Sequence, residues 1–304
     1  MVTKKSAAMH YPFWFGGSAS CIAACFTHPL DLVKVRMQTA GTTARGTTPT
    51  MLGTFVKAAR NEGFLALYSG LSASLLRQAT YSTTRFGVYE TLKAHFQPHG
   101  QTIPPSFGTL VLMASVSGMA GGVAGNPSDI INVRMQNDRS LPPSQRLNYK
   151  HAVDGFYRML TTEGVSSLFR GVWPNTLRAA LMTASQLATY DEFKKLILGA
   201  GLGGDGIGTH FAASLLSGLV ATTVCSPVDV VKTRVMVGQG KGVGVLSVLK
   251  TTVRKEGLRW VFRGWVPSFA RLGPHTILTF IFMEQHKKLW RTMHQPKEPE
   301  AVFL

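Results

Sequence analysis

Three long stretches of the chain carry no charge when histidine is counted as neutral: residues 6–30, 94–128 and 206–228. Each is long enough for a bilayer-crossing helix, which needs ~20 apolar residues. Each ends at the same signal, Pro-x-Asp, at Pro29-Leu30-Asp31, Pro127-Ser128-Asp129 and Pro227-Val228-Asp229. Hydropathy alone stops at three membrane helices.

The polar positions double that number. The three prolines lie about a hundred residues apart, and each is followed by an acid-Gly pair and then an aromatic-x-Gly: EGFLALYSG from Glu62, EGVSSLFRG from Glu163 and EGLRWVFRG from Glu256. Arg77, Arg178 and Arg271 each fall fifteen residues after those glutamates. Glu90, Asp191 and Glu284 fall thirteen beyond the arginines, and Lys93, Lys194 and Lys287 three beyond the acids. The span from arginine to acid in each copy is a second apolar stretch, undervalued by hydropathy because it opens and closes on a charge. Offsets kept three times over identify a repeat. The chain reads as one all-α membrane domain, residues 1–304, of six transmembrane helices in three tandem two-helix repeats, approximately 10–100, 105–200 and 207–295. A loop and a short amphipathic helix separate the two helices of each repeat.

Small residues recur in register in the first helix of each repeat: Ala19, Ser117 and Ser217; Ser20, Gly118 and Gly218; Ala23, Gly121 and Ala221. In lipid such columns let helix backbones approach closely. The prolines should bend those helices, because each removes an intrahelical hydrogen bond.

Composition narrows the partners. Lys and Arg number 32 against 15 Asp and Glu, for a formal net charge of +17, yet only 15% of residues are charged. So basic a chain calls for an anionic partner. It lacks the exposed Lys/Arg runs with aromatics of a nucleic-acid binder. Three cysteines make no disulfide framework or metal set, and Cys21 and Cys25 read as small apolar residues on one helix face. The opening residues lack a secretory signal or an Arg-rich transit pattern, so targeting should be internal. GAGLGGDG, residues 199–206, fits GxGxxG, but no strand precedes it and it falls between membrane helices, so it is not a nucleotide fingerprint. With no P-loop, metal cluster or nucleophile constellation, nothing points to an enzyme or to a cofactor.

The basic residues concentrate between the two helices of each repeat (Arg45, Lys57, Arg60, Arg139, Arg146, Lys150, Arg158, Lys250, Arg254, Lys255), whereas the connections between repeats are nearly uncharged. By the positive-inside rule the long loops face the inner compartment and both termini face outward.

These residues resemble the mitochondrial carrier family, whose hallmark is Pro-x-acid-x-x-base-x-base, then acid-Gly and aromatic-base-Gly, three times over. The resemblance spans roughly residues 12–290. It implies six tilted helices around a central cavity with pseudo-threefold symmetry, in the mitochondrial inner membrane, with the termini toward the intermembrane space and a monomer as the functional unit. SGLSASLLRQATYSTTRFGVYE, SGMAGG with NVRMQND, and RLGPHTILTFIFMEQ look most like the dicarboxylate-carrying branch. That implies exchange of malate or succinate for phosphate or another small anion, with 2-oxoglutarate/malate exchange as the alternative.

The resemblance also implies two rings of ion pairs. On the matrix side stand Asp129–Lys232 and Asp229–Lys34, with Asp31 left opposite Asn132, the one copy lacking a base at the sixth motif position. On the cytosolic side the pairs would be Glu90–Lys194, Asp191–Lys287 and Glu284–Lys93. Spacing by itself leaves open a simpler outcome, acid and base three residues apart pairing within one helix. Gln38 and Gln136 are placed to brace the matrix pairs, and Met236 in the third copy is not. Rings that close alternately around a fixed site amount to alternating access. Asn132 then reads either as a lighter matrix gate or as drift.

Arg77, Arg178 and Arg271 occupy equivalent positions and read as unpaired guanidiniums without matching acids nearby, and the resemblance makes them substrate contacts. A guanidinium fork suits carboxylate and phosphate. Eight residues on, symmetry breaks at Arg85, Gln186 and Thr279, a better place for selectivity; His275 is a further candidate for the cavity wall. Gly70, Gly171 and Gly264 open the second helices. Free N–H groups at a helix start favour phosphate, and the resemblance implies bound cardiolipin there; a turn glycine is the compatible plainer reading.

Overall fold

The computed structural model describes residues 15–40, 50–96, 106–201, 204, 206–238 and 244–294. Arg45 and Asp205 lie outside them, as do the side chains of Lys255 and Glu256. Six long helices, α1 (Phe15–Thr39), α3 (Leu71–Phe96), α4 (Phe107–Asp138), α6 (Val172–Gly199), α7 (Ile207–Val237) and α9 (Trp265–His294), alternate with three short ones, α2 (Met51–Glu62), α5 (Ala152–Glu163) and α8 (Val245–Glu256). By length and apolarity alone, only α4 and α7 qualify as membrane spans among the described residues. The other long helices carry the charges that the repeat pattern had to see past.

The second helix of each repeat packs most extensively on the first helix of the next: α3 on α4, α6 on α7, α9 back on α1. Contacts within repeats (α1 with α3, α4 with α6, α7 with α9) complete a closed ring of six. The small-residue columns lie at these seams. A Cβ on Gly121 would stand 2.9 Å from the Tyr81 carbonyl of α3, and one on Gly218 would stand 2.6 Å from Leu272 of α9. The ring is inside-out by soluble standards. Large apolar side chains such as Phe26, Leu112, Trp173, Phe211 and Phe280 are exposed outward, while Asp129, Asp229, Arg134 and Gln136 are buried. Such a surface suits lipid as the solvent.

α1, α4 and α7 run through their prolines. The residue before each proline is buried and anchors the turn that opens its partner helix. His28 Nε2 donates to the Ser69 carbonyl (3.0 Å), Asn126 Nδ2 to the Leu168 carbonyl (2.8 Å), and Ser226 Oγ to the Val261 carbonyl (2.5 Å). The two residues after each motif acid are apolar and buried: Leu32 and Val33, Ile130 and Ile131, Val230 and Val231. Ile130 and Ile131 pack with Met159 of α5, Leu32 with Ala58 of α2, and Val230 with Val248 and Leu249 of α8. Those clusters fix the short helices against the motif segments.

A second threefold device ties the repeats to one another. The last base of each motif reaches the position-ten carbonyl of the following repeat: Arg36 Nε to Gln136 O (3.0 Å), Arg134 Nε to Met236 O (3.1 Å), Arg234 Nε to Gln38 O (3.0 Å). Arg36 also grips Glu62 with both terminal nitrogens (2.5 and 2.7 Å), and Arg134 does the same with Glu163. Bidentate pairs of this kind are the strong charge-assisted class. Arg170 adds a bond to Glu163 (2.7 Å). Burial works against the Glu163 carboxylate, yet the two arginines outweigh it and hold its pKa below the usual range.

Gly70, Gly171 and Gly264 have φ of 89°, 71° and 77°, the left-handed region that penalises any Cβ. Each also presses on the tenth motif residue of the neighbouring repeat: Gly70 on Gln136, Gly171 on Met236, Gly264 on Gln38. A Cβ at Gly264 would stand 2.7 Å from Gln38 Cγ. Gly264→Ala should therefore lose about 1–3 kcal/mol of stability from backbone strain and overpacking together. A thermal-unfolding scan of the purified protein in detergent reads this directly; an unchanged midpoint would mean the contact yields without cost.

Candidate functional site: a charged ring closing a central cavity

At the proline end of the six-helix ring the motif acids and bases converge. Lys34 Nζ lies 2.8 Å from Asp229 Oδ2, and Lys232 Nζ lies 2.5 Å from Asp129 Oδ2. Both pairs run between repeats, because the acid and base of one helix face different neighbours in a closed ring. A cavity of about 410 Å³ stands above them toward the other end. Its wall includes Arg77, Arg178 and Arg271 together with Arg85, His275 and Thr279. Gln186, expected in the same layer, does not line it. Thr279 spends its hydroxyl on the His275 carbonyl (2.7 Å), and His275 Nδ1 meets Thr27 Oγ1 (3.3 Å).

The three symmetric arginines are not without acids, contrary to the expectation from sequence. Arg77 Nε stands 3.8 Å from Asp129, Arg178 Nε bonds Asp229, and Arg271 Nε stands 2.9 Å from Asp31. Each arginine meets the motif acid of the next repeat, for the reason that its helix packs on that repeat's first helix. Nothing local in sequence exposes this, since the partners are about fifty residues apart in two cases and 240 in the third.

Asp31 likewise corrects an expectation. Its cation is Arg271, and it makes no hydrogen bond with Asn132 among the described residues. The Asn132 carbonyl oxygen is taken instead by Gln136 Nε2 of its own helix (3.1 Å). Gln38 accepts from Thr233 Oγ1 (2.8 Å). Neither glutamine braces an ion pair directly; both fill the space beneath the ring and pack on the helix-opening glycines.

The opposite end stands apart in this conformation. Glu90, Lys93 and Asp191 are exposed, and Glu284 pairs with Lys287 one turn along its own helix (2.8 Å). None of the three expected inter-repeat pairs is formed there among the described residues. One ring is closed while the other is open.

Sequence reasoning passed over two sets of residues: the Arg36, Arg134 and Arg234 staples with Glu62 and Glu163, and the pre-proline anchors His28, Asn126 and Ser226. The staples carried a visible signal, a base at motif position eight and an acid before each Gly, three times over. The anchors carried none, being three different residue types.

The sequence profile described as "Mitochondrial carrier protein" matches residues 5–100, 104–201 and 204–294. The mitochondrial citrate transporter F of Aspergillus niger is 62% identical over 289 residues, covering 94% of this chain and 91% of that one. A mitochondrial dicarboxylate transporter of Saccharomyces cerevisiae is 48% identical, covering 95% of each chain. The mitochondrial 2-oxoglutarate/malate carrier protein of Bos taurus is 41% identical over 92% of this chain and 91% of its own.

Proposed function

The chain belongs to the mitochondrial carrier protein family, transporters that cross the mitochondrial inner membrane several times, and from that premise we propose an antiporter of small dicarboxylates. It exchanges malate or succinate for phosphate or another small anion by alternating access. The observation that carries this reading is the charge balance of the site. Lys34, Lys232, Arg77, Arg85, Arg178 and Arg271 face only Asp31, Asp129 and Asp229 around one cavity and its closed floor. A surplus of cations between low-dielectric walls concentrates anions. Fork-shaped guanidiniums then match carboxylate or phosphate with two parallel bonds.

The geometry supplies a trigger. An anion that takes Arg77, Arg178 or Arg271 competes with the carboxylates those arginines now hold. Withdrawing an arginine weakens the inter-repeat ring beneath it, so the closed end loosens when the site fills. Glu90, Lys93, Asp191, Lys194, Glu284 and Lys287 are then the groups that close behind the substrate. Arg85, with no carboxylate partner among the described residues, breaks the threefold symmetry, and Thr279 shares its layer.

In this reading the closed end faces the matrix and the protein works as a monomer. The starts of α3, α6 and α9 hold anionic lipid. A cavity of about 350 Å³ at Gly70, bordered by Arg139 and Lys150, supports cardiolipin as that lipid.

A second reading, citrate as the preferred substrate, is favoured by the 62% identity to a protein named a citrate transporter and by the cation surplus of the site. One experiment separates them. Purified protein in liposomes loaded with malate is challenged outside with labelled succinate, phosphate, citrate or 2-oxoglutarate. The proposal expects succinate and phosphate to enter fastest. Faster entry of citrate would establish the second reading, and entry of 2-oxoglutarate without phosphate would overturn the phosphate assignment.

A further inference from the structure

The three ring acids are not held alike. Asp229 receives hydrogen bonds from both Lys34 and Arg178, and Asp129 is bonded by Lys232 with Arg77 beyond it. Asp31 has Arg271 alone, and the Nε–H of Arg271 is close but not aligned on the carboxylate. The position where a third lysine would stand is Asn132, whose oxygen is already engaged by Gln136. Asp31 is also the most solvent-accessible of the three, its side chain 17% exposed against 11% and 9% for Asp129 and Asp229.

These differences matter at the moment the site fills. When an incoming anion takes the three arginines, Asp129 keeps Lys232 and Asp229 keeps Lys34. Asp31 keeps no bonded cation and gains a second anion beside it. A carboxylate in that position is stabilised by a cation or by a proton. The charged and titratable groups around it are Lys34 and His28 on its own helix, Arg77 on α3, Asp129 on α4, Arg178 on α6, Asp229 and Lys232 on α7, and Arg271 and His275 on α9. Of the cations, Lys34 and Lys232 are committed to other acids and the arginines are those the anion takes. His275 lines the cavity, and Thr27, which it contacts, is buried one turn before Asp31.

We propose that anion binding in this carrier is coupled to uptake of one proton from the open side onto Asp31, because Asn132 leaves that acid with no cation but the one the substrate removes. The proton leaves Asp31 for water when the anion departs and Arg271 returns. This rests on the reading of the arginines as the substrate site, and it is a property of this site's asymmetry rather than of the threefold pattern.

The test is calorimetric titration of the purified carrier with malate, above neutral pH where malate is fully ionised, in buffers of different ionisation enthalpy. The slope counts protons taken up per anion bound. The wild-type protein should take up close to one. Asn132→Lys supplies the missing cation and should bind malate within about ten-fold of wild type with uptake near zero; Asp31→Asn should also take up none. Malate binding without proton uptake in the wild type overturns the proposal and leaves the transport reading intact, as does uptake that persists in both variants. Failure of malate, succinate, phosphate and citrate all to bind the wild type would instead refute the substrate site and the proposal with it.

Discussion

Arg178→Ala is expected to abolish anion exchange in liposomes while the purified protein stays folded. Arg178 joins the cavity to its floor: its guanidinium lines the cavity and its Nε bonds Asp229. A charge-assisted hydrogen bond contributes ~1.5–3 kcal/mol. Losing a bidentate contact to the anion should therefore slow exchange by roughly a hundred-fold or more, at 1.4 kcal/mol for each factor of ten. Folding should survive, because Asp229 retains Lys34 at 2.8 Å and is not left as an unpaired buried charge. Arg178→Lys should restore little, since an ammonium cannot present two parallel donors to a carboxylate. Labelled malate uptake, read beside a thermal-unfolding midpoint in detergent, checks both halves. Normal exchange by the alanine variant would remove Arg178 from the site.

Asn132→Lys should slow exchange. The substitution restores the base that Lys34 and Lys232 supply in the other two repeats. A lysine there would give Asp31 a bonded cation that substrate does not remove, stabilising the closed floor by ~1.5–3 kcal/mol. If that stabilisation is absent from the state through which the floor opens, turnover at saturating malate should fall roughly ten-fold or more, with malate binding largely kept. Fluxes measured at several internal and external concentrations distinguish slower turnover from weaker binding. A faster or unchanged rate would show that the floor's strength does not limit the cycle at this seam.

Most of the architecture was legible before any coordinates, because three copies of one pattern report on one another. Arg77, Glu90 and Lys93 are ambiguous on a single helix; repeated at constant offsets, they mark the helices that hydropathy missed. The gate pairs Lys34–Asp229 and Lys232–Asp129 followed from family resemblance rather than from spacing, which equally allowed pairing within one helix. The far ring shows that within-helix outcome at Glu284 and Lys287. There Lys287 Nζ lies 2.8 Å from Glu284 Oε1, a neighbour one turn away on the same helix.

By itself the sequence determined the number of long helices, the threefold repeat, the excess of cations and the equivalence of Arg77, Arg178 and Arg271. Those properties are local or periodic, and a single chain displays them in order. Which acid each cavity arginine meets was decided only by the tertiary structure. Arg271 reaches Asp31 because α9 closes the ring on α1, bringing together residues from opposite ends of the chain. Charge pairing depends on a few ångströms of separation, and separation across a closed ring is set by the packing of all six helices together. Asn132 looked in sequence like a pair with one weak member; in the folded protein its side-chain oxygen is engaged by Gln136, and Asp31 meets Arg271 instead.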